Sequence, residues 1–216
     1  MGRRALTVFM SLWLITLAAA FALDGAVTRW LYARSFHLPE AGVLRDTMAA
    51  RMLKLPGDIR TILVITLLLV IFARLSWRRA GVLILCSASS VSAEAIKFVF
   101  GRARPLTENN LLARTFDFVP FSTPPGGMSF PSGHTMLAFA TAVCFARYYP
   151  RWAAAAYGLA ALVAAERVLE LSHHLSDVVA SCGLAILISQ WCAVRLERLL
   201  LPGAPLPVLQ EEEINA

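Results

Sequence analysis

The sequence predicts an all-α polytopic membrane protein: one domain over residues 1–216, built as a bundle of six transmembrane helices. Three observations carry that expectation. The chain is 58% hydrophobic and only 16% charged, and its mean hydropathy of +0.64 is too high for an ordinary soluble domain. Its apolar residues gather in six runs, at 5–23, 59–76, 80–100, 132–147, 152–170 and 175–194, each near the ~20 residues that a bilayer crossing requires. The basic residues behind the net charge of +6 stand at the ends of those runs. There they face anionic lipid headgroups, so membrane lipid rather than nucleic acid is the expected partner.

The first run follows Met1-Gly-Arg-Arg and ends in Ala-Ala-Ala-Phe-Ala, the outline of a cleaved secretory signal. It is long for the apolar part of such a signal and is expected to stay as an anchor. Residues 24–58 come next. Leu44, Met48 and Met52 recur every four positions there, with Arg45, Arg51 and Lys54 between them. That spacing suits a helix lying in the interface, or equally a surface helix packed on the bundle. Arg74, Arg78 and Arg79 crowd the link between the second and third runs, and Arg147 and Arg151 the link between the fourth and fifth. With Arg3 and Arg4 before the first run and Arg195 and Arg198 after the last, they place both termini on the cytoplasmic side of a bacterial inner membrane. The loop 106–130 sets Phe116, Phe118, Phe121 and Phe130 among Pro124, Pro125, Gly126 and Gly127; it either caps a site beside the lipid or folds back on the bundle. Cys86, Cys144, Cys182 and Cys192 all fall inside apolar runs and read as small buried apolar residues. The Glu211-Glu212-Glu213 tail reads as solvated.

Three short segments carry chemistry. They are Lys97-Phe-Val-Phe-Gly-Arg-Ala-Arg104-Pro105, Pro131-Ser132-Gly133-His134, and Arg167-Val-Leu-Glu-Leu-Ser-His173-His-Leu-Ser-Asp177. On the six-span topology all three fall at the outer, periplasmic ends of helices. Arg104 and Arg167 offer planar forks that match phosphate oxygens two at a time, and Lys97 offers a point charge. Glu94, three residues before Lys97, lies on the same helical face, either to hold that ammonium or as a plain structural ion pair. Arg102 reads as a snorkelling residue or as support behind the site. Pro131 fits a helix start and Ser132 can cap it, while Gly133 lets backbone N–H groups approach an anion. Where the last run is already helical, His173 and Asp177, four apart, share one face, so the carboxylate can fix the imidazole tautomer and leave the other nitrogen free to attack phosphorus. His134 would then protonate the leaving oxygen. His174 faces elsewhere by about a hundred degrees of helical turn. A metal site built from His173, His174 and Asp177 lacks an accompanying ligand motif.

These segments resemble the type 2 phosphatidic acid phosphatase (PAP2) superfamily, which also includes the vanadium haloperoxidases. Its pattern reads K-x6-R-P, then P-S-G-H, then S-R-x5-H-x3-D. The chain matches every position but one, where Glu166 stands in place of the serine, and the likeness runs from Lys97 to Asp177. The resemblance implies a six-helix bundle of the PAP2 and haloperoxidase type and a phosphohistidine intermediate at His173. It also implies that His134 acts first as general acid and then as base. Lys97, Arg104, Ser132, Gly133 and Arg167 would hold the phosphate, with no metal or other cofactor. The substrate expected is a phosphorylated lipid: phosphatidate, phosphatidylglycerophosphate, undecaprenyl diphosphate or lipid A.

Other functions remain in view. The same residues would serve a phosphotransferase whose acceptor is a second lipid. A haloperoxidase uses a similar anion site but needs no lipid access. A non-catalytic lipid-binding or transport component would also carry cations among its helices, and His134, His173 and Asp177 together stand against it. Oligomeric state is left open.

Overall fold

A computed structural model describes residues 2–37, 48, 52, 54–106, 115–124 and 127–200. Among these residues seven α-helices form six rods, one for each predicted run: α1 (Arg3–His37), α2 (Ile59–Phe72), α3 (Trp77–Ala88) continuing through a 3-10 turn into α4 (Ser92–Phe100), α5 (Gly133–Tyr148), α6 (Ala153–Leu169) and α7 (Leu175–Leu200). Four stretches are long and apolar enough to cross a membrane unaided: Arg3–Arg34, Trp77–Phe100, Pro150–Leu169 and Leu175–Leu200. Helix α2 is apolar but shorter. The fold is all-α and membrane-embedded, as the hydropathy requires. Among the described residues the only β-type pairing is two isolated bridges, Arg102 with Phe118 and Ala103 with Met128.

Local chemistry sets the helix ends. Asp58 opens α2 by accepting from the Arg60 backbone N–H at 2.8 Å. Helix α4 ends at Gly101, whose φ of +54° only glycine adopts without strain. A Cβ there would also stand 1.8 Å from the Val119 carbonyl oxygen. This turn sends Arg102 and Arg104 back across the end of the bundle. Ser132 caps α5.

Helix α5 sits at the centre, packed on α3, α6 and α7. Its Met136, Ala140, Val143 and Cys144 are fully enclosed. One apolar cluster joins Met136 and Phe139 to Val163, Leu171, Val178 and Ala185; a second joins Ile62, Val82, Leu83 and Cys86 to Leu137, Cys144 and Ala193. All four cysteines are free thiols, two of them buried. The lipid-facing side is greasy: α1 exposes Leu12, Leu14 and Ile15, and α2 exposes Val64, Leu67, Ile71 and Phe72.

The first span differs from expectation. Its predicted end at residue 23 stands just before Asp24, a carboxylate unwelcome in a helix bound for lipid, yet α1 continues to His37 because Asp24 is paired inside the bundle. Helix α1 docks on α7. Trp13 donates from Nε1 to the Val179 carbonyl at 3.0 Å. It lies where Gly183 has no side chain; a Cβ there would stand 2.0 Å from the indole. The interfacial helix expected around Leu44, Arg45 and Arg51 lies outside the described residues, as does the acidic tail. The described part of the phenylalanine loop does fold back: Phe118 and Phe130 pack on Phe100 and Phe21, while Phe116 and Phe121 stay exposed.

Candidate active site

Each predicted site residue sits at one end of the bundle. Lys97 lies in the last turn of α4 and Gly133 opens α5. Arg167 is in the last turn of α6, and Asp177 in the first turn of α7. The tight turn between α6 and α7 is held by backbone N–H groups of Ser172 and His173, which both donate to the Arg167 carbonyl, at 3.1 and 3.2 Å.

Lys97 Nζ reaches Glu94 Oε1 at 2.6 Å, the i,i+3 pair that the spacing predicts. Both groups lie 3.5 Å from where a Cβ on Gly133 would project, so the bare glycine lets the ammonium stand against the α5 N-terminus. Ser132 is fully buried and its Oγ accepts from the Thr135 N–H at 3.4 Å and the Thr135 hydroxyl at 3.0 Å. The Arg104 guanidinium lies beside Gly127, 3.7 Å from the place of a Cβ there. His134 stands within electrostatic reach of Arg167, His173 and Lys97, and His173 within reach of Arg104 and Lys97. Two imidazoles and three phosphate-type cations therefore share one neighbourhood. His134 is backed by the 3-10 turn Leu55–Gly57, where a Cβ on Gly57 would stand 2.9 Å from the His134 Cβ.

His173 is buried, and its Nδ1 lies 2.8 Å from the Ser129 carbonyl oxygen. Asp177 Oδ2 is 3.7 Å away, an ion-pair distance beyond a hydrogen bond. The hydrogen bond at Nδ1 goes to a backbone carbonyl, with the expected carboxylate beside it as an ion-pair neighbour. A carbonyl only accepts, so Nδ1 carries the proton and Nε2 holds the lone pair. Burial keeps the imidazole below its ordinary pKa, against the pull of Asp177.

Asp177 is held elsewhere. It accepts from the Ser129 hydroxyl, from the His174 N–H at 2.8 Å and from Arg102 Nη1 at 2.5 Å. Arg102 does not snorkel: it is fully buried and also donates to Asp24 at 2.8 Å, Ser176 Oγ at 2.6 Å and the Thr115 carbonyl at 2.7 Å. Its guanidinium lies 4.8 Å from the Phe118 ring centre and 5.4 Å from that of Phe21. Asp24 further accepts from the Ser176 N–H and hydroxyl. Sequence reasoning passes over Asp24 and Ser129. The signal for Asp24 is a lone carboxylate in an apolar helix; for Ser129, whose carbonyl matters most, there is none.

His174 is fully buried and turned from the pocket, its Nδ1 3.4 Å from Thr28 Oγ1. Burial and Arg102 push its pKa down to about 4. Among the described residues no three of His, Cys, Asp and Glu converge as a metal-ligand set. Glu166, the departure from the motif, grips Arg167 with its carboxylate, through Nε at 2.5 Å and through Nη2.

A family model described as the PAP2 superfamily matches residues 79–199, more than half of the chain. Two curated relatives, lipid A 1-phosphatases of Rhizobium johnstonii and Rhizobium etli, are each 36% identical over 110 residues, or 51% of this chain. The aligned stretch is 43% and 46% of their respective lengths, so the chain spans under half of either. A crystal structure of the transmembrane PAP2-type phosphatidylglycerolphosphate phosphatase from Bacillus subtilis superimposes with a TM-score of 0.60 at 19% identity, covering 89% of this chain and 96% of that one. That likeness is one of fold.

Proposed function

The chain belongs to the PAP2 superfamily, and on that premise we propose that it is a membrane-embedded lipid phosphate phosphohydrolase working through a phosphohistidine. Nε2 of His173 attacks phosphorus in line; the N–P bond forms as the bond to the lipid oxygen breaks, and His134 delivers a proton to that oxygen. Water then attacks the phosphohistidine while His134 takes its proton, releasing inorganic phosphate and restoring the imidazole. Lys97, Arg104, Arg167 and the α5 N-terminus with Ser132 and Gly133 would stabilise the charge on the equatorial oxygens. Asp177 braces the turn that carries His173 and, as an ion-pair neighbour of Nδ1, favours the charged ring.

The observation that carries this reading is the His173 ring, tied through Nδ1 to the Ser129 carbonyl at 2.8 Å and left with its Nε2 lone pair within electrostatic reach of His134 and the cations. Lipid access is supported by an apolar cavity of about 480 Å³ between α2, α5 and α6, lined by Ile62, Leu69, Ala138, Phe145 and Leu159. It reaches Pro56, next to the glycine that backs His134. The two named relatives make a phosphorylated glycolipid of the lipid A kind the first substrate to try. The inner membrane, with cytoplasmic termini and a periplasmic site, is supported by the arginine-rich links at the other end of the bundle.

Purified protein in detergent is expected to release phosphate from at least one of lipid A, phosphatidylglycerophosphate, phosphatidate and undecaprenyl diphosphate with chelator present. H173A should abolish release, and full activity in that variant would overturn the nucleophile assignment. Labelled phosphoryl groups appearing on a second lipid instead of in water would make the enzyme a phosphotransferase. A reporter fused to the C-terminus that functions only outside the cytoplasm would reverse the orientation.

A further inference from the structure

The end of α6 carries a charge arrangement that phosphoryl transfer by itself does not call for. Arg167 donates through Nε and Nη2 to both carboxylate oxygens of Glu166, and Nη2 also reaches Glu170 Oε2 at 2.9 Å. On the other side of the carboxylates, Lys54 Nζ lies 2.7 Å from Glu170 Oε1 and 3.9 Å from Glu166 Oε1. Both glutamates and Arg167 are buried, whereas the Lys54 side chain is 32% exposed. Two anions are thus held between two cations, and the four formal charges cancel. The Nε and Nη2 edge that Glu166 occupies is an edge of the guanidinium fork suited to two oxygens of a phosphate.

We propose that Glu166 and Glu170 are a built-in competitor for Arg167, and that Lys54 is the cation that keeps them when a phosphate takes the guanidinium. The idea rests on the reading of Arg167 as a phosphate ligand. A phosphoryl group arriving at that edge must displace a carboxylate, and a buried carboxylate stripped of its cation is costly. Lys54, already in contact with both glutamates, removes most of that cost. The competitor acts on any phosphate alike, so it also loosens the product. Free phosphate has no lipid tail to offset the competition, whereas the substrate has, and the site therefore prefers to hold phosphate only while it is attached to lipid. Lys54 is a positioning residue in this scheme: it acts on phosphate through the glutamates.

The test measures inorganic phosphate binding to the purified full chain by calorimetry, alongside its potency as an inhibitor. E166Q and E170Q are expected to bind phosphate more tightly, E166Q by about tenfold, in the lower part of the range for coupling between sites. K54M should bind about tenfold more weakly, K54R should restore binding, and K54M/E170Q should return most of the loss, because the carboxylate left without its lysine is gone. Unchanged or weaker binding in both E166Q and E170Q would overturn the proposal, as would a K54M defect that E170Q fails to relieve. Were E166Q not to fold, E170Q and the double variant still decide. R167A separates the two layers: weaker phosphate binding there, with unchanged binding in the glutamate variants, removes the competitor alone. Wild-type affinity in R167A removes the phosphate-ligand reading and the competitor together.

Discussion

Replacing Arg102 by methionine tests the buried network behind the site. The change deletes the guanidinium that donates to Asp24, Asp177, Ser176 and the Thr115 carbonyl, and leaves two fully buried carboxylates without a cation. Breaking a buried pair by removing one partner typically costs about 3–5 kcal/mol, chiefly because the surviving charge is then buried without compensation. Here two anions are orphaned, although Ser129 and Ser176 and the N–H groups of His174 and Ser176 still donate to them. The upper half of that range is therefore expected. For a chain of this size each kcal/mol moves the unfolding midpoint by roughly 2–4 °C, so R102M should unfold about 8–20 °C below the wild type in a detergent scan at fixed rate. D24N removes one carboxylate and leaves the Arg102–Asp177 pair intact, so its loss should be smaller. The R102M/D24N double variant should recover part of the R102M deficit, since neighbours in one network are not additive. An R102M midpoint within about 2 °C of the wild type, or a double variant losing the plain sum of the singles, would refute the reasoning.

Three further outcomes are expected. G183A should loosen the docking of α1, because a Cβ would enter the Trp13 indole. The cost is roughly 1–3 kcal/mol, seen as faster proteolysis between α1 and α2, and W13A/G183A should be less damaging than the sum of the two. G101A meets both a positive φ and the Val119 carbonyl, so it should misplace Arg102 and Arg104 and lower kcat as well as stability; wild-type kcat would show that the turn does not position them. The fold should also be acid-labile. The unfolded chain takes up a proton on His174 near pH 6.5 while the buried ring resists to about 4. Stability therefore falls as pH drops from 6.5 to 4, by about 3 kcal/mol from this ring alone. Unfolding midpoints that stay flat over that interval would contradict the burial of a neutral imidazole.

The six helical rods were legible because lipid enforces one rule on apolar segments, and runs of Leu, Val, Ile and Ala obey it. The lengths were less legible. Helix α1 passes residue 23 because the charge at Asp24 is cancelled by a residue 78 positions later, a pairing no window on the sequence contains. Motif spacing brought Lys97, Arg104, His134, Arg167 and His173 to one end of the bundle; His173 and His174 precede α7, so the turn rather than helical phase sets them apart. What held His173 was hidden because the partner is a main-chain carbonyl, and every residue has one. Arg102 and Arg104 look equivalent in Gly-Arg-Ala-Arg. Only the turn at Gly101 sends the first inward to the carboxylates and the second toward Gly127.

The His134 ring is seated against the turn that opens α2, a helix with an apolar outer face. The imidazole rests on backbone, with no flexible side chain between to absorb movement. A side chain added at residue 57 would press on the ring or lift the turn that leads into α2. The outer face of that helix is Leu63, Val64, Leu67 and Leu68, all turned outward to the acyl chains. The same short turn joins the ring to a helix that faces acyl chains, so a substitution at Gly57 disturbs both at once.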